Sequence, residues 1–268
     1  MIEIPDDHPR AESLRIRHKV QKGFEDKVVA TAGLFAHGRG EAFDYIIGEK
    51  TCPPAIEAIK AALAMIKLAK HPVFSINGNI AALAPKEIVE FAKMSGMKME
   101  INLFYRSEER IQAIKKYLEE AGANEILGTG PEWATIPELS SQRRLVDPNG
   151  ILKADVVLVP LEDGDRTEAL RKIGKVVITI DLNPLSRTAQ WSNITIVDNF
   201  VRTIKLFIKL WPEIEKLSES KLKEIVNSFD NKLNLSKMIE YSINYLKDIA
   251  KQGIYIEEVL NLGYKIKV

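Results

Sequence analysis

Cysteine occurs once in the 268 residues, at Cys52. A single thiol forms no intramolecular disulfide and no cysteine-rich zinc site, which fits a reducing compartment and leaves Cys52 to be read as a small apolar filler. Charge of one sign is also missing: 38 Lys and Arg face 37 Asp and Glu, for a formal net charge of +1. No global field then draws nucleic acid or an anionic membrane, so any anion site must be local. No apolar run approaches the roughly 18 residues of a membrane span. The opening MIEIPDDHPR is acidic and carries proline, unlike an export signal. The expectation is a soluble, cytoplasmic protein. Neither a Gly-x-Gly-x-x-Gly fingerprint nor a Gly-x-x-x-x-Gly-Lys-Ser/Thr phosphate loop is present. Metal spacings of Cys and His and a Gly-x-Ser-x-Gly elbow are absent as well, which removes support for zinc hydrolysis and serine acyl transfer.

What is there is a periodic α/β pattern. Helices are expected over Glu12 to Phe24, opened by Pro9, and from Pro53 to about Lys70. Between them the small-residue segment Thr31 to Gly40 reads as irregular, followed by a short helix Glu41 to Ile47. Strands and helices then alternate: strand Pro72 to Ile76, helix Pro85 to Ser95, strand Lys98 to Phe104, helix Ser107 to Ala121. After a polar loop from Gly128 to Gly150 come strand Asp155 to Val159, helix Arg166 to Ile173, strand Lys175 to Ile180 and strand Ile194 to Val197. Continuous Val/Ile/Leu runs separated by helices predict a Rossmann-like parallel sheet covered on both faces. The chain is expected to be one domain over residues 1–268, with an N-terminal helical part to about 70, a sheet core to about 200 and a C-terminal helical part beyond. The segment after about residue 250 receives no role.

In an open parallel sheet, ligands bind beyond the carboxyl ends of the strands. Every such exit here is polar: Asn77-Gly78-Asn79, Tyr105-Arg106, Glu162-Asp163-Gly164-Asp165-Arg166, Asp181-Leu182-Asn183 with Arg187-Thr188, and Asp198-Asn199. Each alone reads as an ordinary turn, but five together, with Arg106, Arg166 and Arg187, point to an anionic ligand held by charge-assisted hydrogen bonds of about 1.5–3 kcal/mol each. A second cluster is Ala36-His37-Gly38-Arg39-Gly40-Glu41, expected as a loop whose glycines admit a ligand beside Arg39. His37 is the histidine with suggestive neighbours. Glu162, Asp163 and Asp165 fit Mg²⁺ through water, an ammonium group, or a helix N-terminus. The Arg143-Arg144 pair fits either a triphosphate or the surface.

These blocks together resemble the archaeal phosphopantothenate synthetase family. The likeness runs through His8-Pro-Arg-Ala-Glu-Ser-Leu-Arg-Ile-Arg-His18, Ala36-His-Gly-Arg-Gly-Glu-Ala-Phe-Asp-Tyr45, Asn102-Leu-Phe-Tyr-Arg106, Pro160-Leu-Glu-Asp-Gly-Asp-Arg-Thr-Glu-Ala-Leu170 and Asp181-Leu-Asn-Pro-Leu-Ser-Arg-Thr188. It implies a homodimer that condenses 4-phosphopantoate with β-alanine while ATP, accompanied by Mg²⁺, is split to AMP and diphosphate. By the same resemblance Arg17, Arg39, Asp181, Leu182, Asn183, Arg187, Thr188, Asn199 and Phe200 would contact ATP; from the chemistry that this implies, Arg17 and Arg39 would stabilise phosphoryl charge and His37 is a candidate binder or base. Asn77, Gly78, Asn79, Tyr105 and Arg106 would hold phosphopantoate, and Glu162, Asp163 or Asp165 would meet β-alanine or Mg²⁺. No metal site built from protein ligands alone is implied. The competing readings are a ligase forming an acyl phosphate with ADP release, a non-catalytic nucleotide-binding regulatory dimer and, against the missing fingerprint, a nicotinamide oxidoreductase.

Overall fold

The computed structural model describes residues 4–7 and 10–253. Three helices come first, α1 (Ala11–Glu25), α2 (Thr31–Ile46) and α3 (Pro53–Leu68). α3 opens on Pro53-Pro54, whose fixed φ suits a first turn where an N–H would go unused. Its Ala55, Ala58, Ile59, Ala62, Leu63 and Ile66 recur at helical spacing and are buried. Then follow β1 (Pro72–Ile76), α4 (Gly78–Leu83), α5 (Pro85–Ser95), β2 (Lys98–Ile101) and α6 (Glu108–Glu120). A small antiparallel pair, β3 (Ala134–Thr135) and β4 (Leu145–Val146), precedes β5 (Val156–Leu158), α7 (Gly164–Lys172), β6 (Val176–Ile180), α8 (Arg187–Trp191) and β7 (Ile194–Ile196). The chain continues through α9 (Phe200–Glu215), α10 (Glu219–Ser228) and α11 (Asn231–Gln252).

Five strands pair in the order β2-β1-β5-β6-β7, each neighbour parallel. Alternation along the strands explains the two cores. Phe74, Ile76, Leu158, Ile178, Ile180 and Ile196 face one side with Phe91, Phe207 and Trp211, whose rings meet tilted and edge-on at 5.0 and 5.6 Å. Val73, Val157, Val159 and Val177 face the other, against Ala169, Leu170, Ile136 and Ile151. The sheet is therefore covered on both faces, as the unbroken apolar runs predict. The chain first runs outward from β1 to β2, then returns beside β1 as β5 and runs the other way. That reversal opens a crevice between the carboxyl ends of β1 and β5.

Several local expectations need correction. Thr31 to Gly40 is not irregular: it forms one helix with the residues after it. Glycine in a helix interior costs roughly 1 kcal/mol against alanine, and tertiary contact overrides that here. A Cβ on Gly33 would stand 2.2 Å from Asn79 Oδ1, and one on Gly40 would touch Leu182 Cδ1 at 3.6 Å. His37-Gly38-Arg39-Gly40 thus lies within a helix and offers no free N–H groups at a helix start. β2 stops at Ile101 because Asn102 turns its side chain to the 142–146 segment, donating from Nδ2 to Arg143 O (3.2 Å) and Leu145 O (3.0 Å). The polar stretch 128–150 is ordered by Glu100, which accepts from Asp147 N (3.0 Å) and Ile151 N (2.6 Å). The Asn77-Gly78-Asn79 exit opens α4 at once, with Asn77 Oδ1 accepting from Ile80 N. α8, capped by Ser186, was too short to be read from periodicity. Cys52 is buried with Sγ 3.1 Å from Met238 Sδ, the expected apolar filler. His8, Pro9 and the stretch after 253 lie outside the described residues.

Candidate active site

A cavity of about 600 Å³ lies over the carboxyl end of the sheet, within the range usual for small-molecule sites. Its floor comes from the exits of β1, β2 and β5, one wall from α2, and another side from the β6 loop and the start of α9. Among the sequence-derived candidates, His37, Arg39, Asn77, Gly78, Asn79, Tyr105, Glu162, Asp163, Leu182, Asn199 and Phe200 line it. Separate exits therefore do converge on one space.

The two asparagines shape the floor by bonding protein. Asn77 Nδ2 donates to Pro160 O at 2.8 Å, tying the β1 exit to the β5 exit across the crevice. Asn79 Nδ2 donates to Gly33 O at 2.8 Å and holds α2 against α4. Gly78 is a close-approach glycine, since a Cβ there would stand 2.1 Å from Val28 O and 2.8 Å from Arg110 Nη2.

Beneath the crevice sits a buried charge cluster. Glu162, only 1% exposed, pairs with Nη1 of both Arg143 and Arg166. Burial alone would raise its pKa, but the two guanidiniums hold it below the ordinary carboxylate value. Its charge is spent on protein, which leaves no free oxygen for an incoming ammonium. Asp163 differs. Its Oδ1 caps α7 through Arg166 N at 2.8 Å, whereas Oδ2 has no hydrogen-bond partner and lies 3.5 Å from Arg143 Nε. Burial, then the neighbouring Glu162 carboxylate, raises the Asp163 pKa, which makes its carboxylate a stronger proton acceptor than a solvated one.

On the α2 wall, Arg39 is exposed to the cavity, and burial raises the pKa of Asp181 behind it against the opposing hydrogen bonds of Ser186 and Asn183 and the Arg39 charge. His37 Nε2 is buried without a partner, and burial lowers its pKa against the opposing pull of Glu41. Its imidazole is therefore neutral at pH 7. Arg17 lies one layer back, its Nε 3.0 Å from both oxygens of Glu41, itself a wall residue. On the far side Arg202 bonds Asp44 (Nη2–Oδ1 2.6 Å) and Asp198 (Nη2–Oδ1 2.6 Å), and Asp198 accepts from Thr51 Oγ1 at 2.6 Å. Although burial works against the charge, these carboxylates hold Arg202 protonated well above the usual guanidinium range.

Other candidates fall outside the cavity. Arg106 stacks on Trp133, 3.7 Å from guanidinium carbon to ring centroid. Asp165 and Arg187 pair with each other on the surface, where Arg187 also meets Glu168 at 2.7 Å. Asp181 and Asn183 order their own turn through Ser186 Oγ, Asn183 N and Leu185 N. Thr188 Oγ1 donates to Glu162 O at 3.0 Å and ties α8 to the crevice loop. Glu41 of the second cluster lines the cavity too, as do Arg110, Arg202 and Asp44, which had drawn no role from the sequence. Arg110 and Arg202 each fall in the first turn of a helix just after a polar strand exit, and that position was the available signal. No group of three or more His, Cys, Asp or Glu able to hold a metal occurs among the described residues, and no helix among them is long and apolar enough to cross a membrane.

Comparison with known proteins places this geometry in context. The model of the phosphopantothenate/pantothenate synthetase family matches residues 54–245. A protein of Thermococcus kodakarensis is 52% identical over 256 residues, covering 95% of this chain and 98% of its own. Its counterpart in Thermococcus onnurineus is 50% identical, covering 97% and 100%, and that in Methanosarcina mazei is 47% identical, covering 95% and 100%. Each of the three is named 4-phosphopantoate–β-alanine ligase.

Proposed function

Because the chain belongs to the phosphopantothenate/pantothenate synthetase family, we propose that it is an ATP-dependent 4-phosphopantoate–β-alanine ligase. In this reading it makes 4′-phosphopantothenate for coenzyme A biosynthesis and releases AMP and diphosphate. The observation that carries the reading is full-length similarity at 52% identity to a ligase of that name. The cavity at the switch point, with cationic side chains and one buried unpartnered carboxylate oxygen, is compatible with it.

A carboxylate is a poor acyl donor because its leaving group would be oxide. A phosphopantoate carboxylate oxygen attacks the α-phosphorus of ATP, the bond to the bridging oxygen breaks, and diphosphate departs with its electron pair. Charge grows on the phosphoryl oxygens at that step, where Arg39, and Arg17 once released from Glu41, stabilise it. Leu182, Asn199 and Phe200 then serve the nucleotide side of the cavity. The amine of β-alanine next attacks the acyl carbon and AMP leaves. That amine must first lose a proton, and Asp163 Oδ2 or neutral His37 is placed to take it. Arg187, Thr188, Asp181 and Asn183 act by fixing the loop behind Leu182. Bound to the nucleotide phosphates, Mg²⁺ would add charge neutralisation there. A cytoplasmic homodimer completes the reading, and the exposed apolar Phe35 at the cavity mouth and Leu185 beside the β6 loop support association of two copies.

The test is product analysis. AMP and diphosphate should form only when ATP, 4-phosphopantoate and β-alanine are all present. ADP and orthophosphate would replace the adenylate by an acyl phosphate, and ATP binding without turnover would leave a regulatory nucleotide-binding protein.

A further inference from the structure

Resting on the ligase reading, we infer that Leu161 is a positioning residue for the second half of the reaction: its left-handed backbone sets Asp163 Oδ2 as the acceptor of the β-alanine ammonium proton. Among the described residues three non-glycine residues have positive φ, Lys27 (64°), Glu49 (51°) and Leu161 (51°). Lys27 and Glu49 come just after the ends of α1 and α2, where a left-handed residue is a common way to close a helix. Leu161 has no such reason. It follows β5 at the carboxyl end of the sheet and lines the cavity, and its Cβ makes the left-handed conformation unfavourable. A strained residue persists only where its surroundings over-determine it, and such residues gather at functional sites.

Those surroundings are present. Three successive carbonyls, of Pro160, Leu161 and Glu162, are each held by a side chain from another part of the fold. Asn77 Nδ2 donates to Pro160 O at 2.8 Å and to Leu161 O at 3.4 Å, and Thr188 Oγ1 donates to Glu162 O at 3.0 Å. Leu161 N donates to Ile180 O at 3.0 Å, beyond the last paired residues of β5 and β6. The Leu161 side chain packs against the larger core, so leucine pins a turn that glycine would merely permit.

The consequence lies in the next two residues. Glu162 and Asp163 are adjacent carboxylates with opposite fates. Glu162 drops beneath the crevice onto Arg143 and Arg166, whereas Asp163 lines the cavity, spends Oδ1 on the first turn of α7 and keeps Oδ2 without a hydrogen-bond partner. A negative φ at residue 161 would swing both carboxylates off these positions together. In the ligation the amine proton passes to Asp163 Oδ2, the nitrogen lone pair forms the C–N bond, and AMP leaves with the electrons of the acyl C–O bond. Formation of the acyl-adenylate needs no such acceptor. Leu161 should therefore matter to one half-reaction and not to the other. His37, the other candidate acceptor, stands on α2, outside this arrangement.

The experiment compares Leu161→Ile with Leu161→Gly. Isoleucine keeps volume and apolarity, but its branched Cβ opposes the left-handed conformation. Glycine loses the packing and adopts that conformation freely. Adenylate formation is read as ATP–diphosphate exchange with 4-phosphopantoate and no β-alanine, and aminolysis as β-alanine-dependent AMP release in a single turnover. Leu161→Ile should slow aminolysis by roughly 10²-fold or more, as loss of a placed base does, while exchange stays within about threefold of wild type. Leu161→Gly should keep aminolysis within about tenfold, since the backbone geometry remains open to it. The opposite order, with glycine the worse variant, is what a packing role alone predicts and overturns the inference. A parallel fall of both half-reactions overturns it too, as does unchanged aminolysis in Leu161→Ile, which would give the proton to His37. Should Leu161→Ile not fold, the glycine variant decides alone, and a greater loss of aminolysis than that stated overturns the inference. A crystal structure of the wild type is an arm free of turnover: negative φ at Leu161 overturns the inference even in an active ligase. A wild type with positive φ there that releases no AMP with all three substrates sinks the ligase reading instead.

Discussion

Glu100 gives the sharpest quantitative prediction. It lies on β2 with no exposed surface, and its carboxylate accepts from Ile151 N at 2.6 Å and Asp147 N at 3.0 Å. Burial raises its pKa from 4.5 to about 7, in spite of those two backbone donors and the Arg166 charge, which pull the other way. A carboxyl with a raised folded-state pKa favours folding most when protonated. Its contribution is full below the unfolded value of 4.5 and declines as pH rises toward 7, levelling off above. At about 1.4 kcal/mol per pH unit, the loss is on the order of 3 kcal/mol. Glu100→Gln removes the titration but keeps one acceptor oxygen. Urea unfolding of both proteins between pH 4 and pH 8.5 isolates the effect, because all other groups cancel in the difference. The wild type should lose about 3 kcal/mol relative to Glu100→Gln, with the slope confined to the window from 4.5 to 7. A flat difference, or one that grows in favour of the wild type with pH, would show that the backbone donors outweigh burial.

Arg202→Met leaves Asp44 and Asp198 buried without their cation and should lower unfolding free energy by about 3–5 kcal/mol, and a denaturant midpoint near wild type would refute the pairing. Gly78→Ala places a methyl 2.1 Å from Val28 O, a backbone atom that cannot swing aside, and should cost roughly 1–3 kcal/mol. Gly38→Ala meets nothing within 4 Å and should instead gain up to about 1 kcal/mol in the same thermal or denaturant assay. Arg39→Ala should reduce turnover by about 10²–10³ with the fold intact, as loss of a transition-state donor does. An unchanged kcat would leave Arg39 as a solvated residue of α2.

The sheet was legible because its strands are buried on both faces, so Val73 to Ile76 and Val176 to Ile180 are apolar but for one small hydroxyl residue each, Ser75 and Thr179. The exits were legible because chain reversal after each strand demands Asn, Asp and Gly whether or not a ligand follows. That same demand places Asn77 and Asn79 in the cavity lining, where each also donates to a protein carbonyl, a tie that chain order does not reveal. α2 was misread for the opposite reason. Three glycines in ten residues argue against a helix locally, and only the approach of Asn79 and Leu182 explains why the helix exists. Ion pairing was the least legible feature. Nothing in the chain order tells that Glu162 meets Arg143, or that Asp44 meets Arg202 across 158 positions.

Those pairings explain how a chain with almost no net charge can handle polyanionic substrates. Its arginines fall into two groups. Arg202 and Arg166 are buried and bound to carboxylates, and breaking such pairs is expensive, so they build the walls. The Arg17 and Arg187 side chains are 38% and 60% exposed: the Arg187 pair with Asp165 lies open on the surface outside the cavity, where an ion pair contributes only about 0–1 kcal/mol, whereas Arg17 is held by the part-buried Glu41 of the cavity wall. Arg39 and Arg110 stand apart, with no carboxylate to displace among the described residues. Fixed pairs beneath and two unspent cations within give a site that is locally positive without a basic surface.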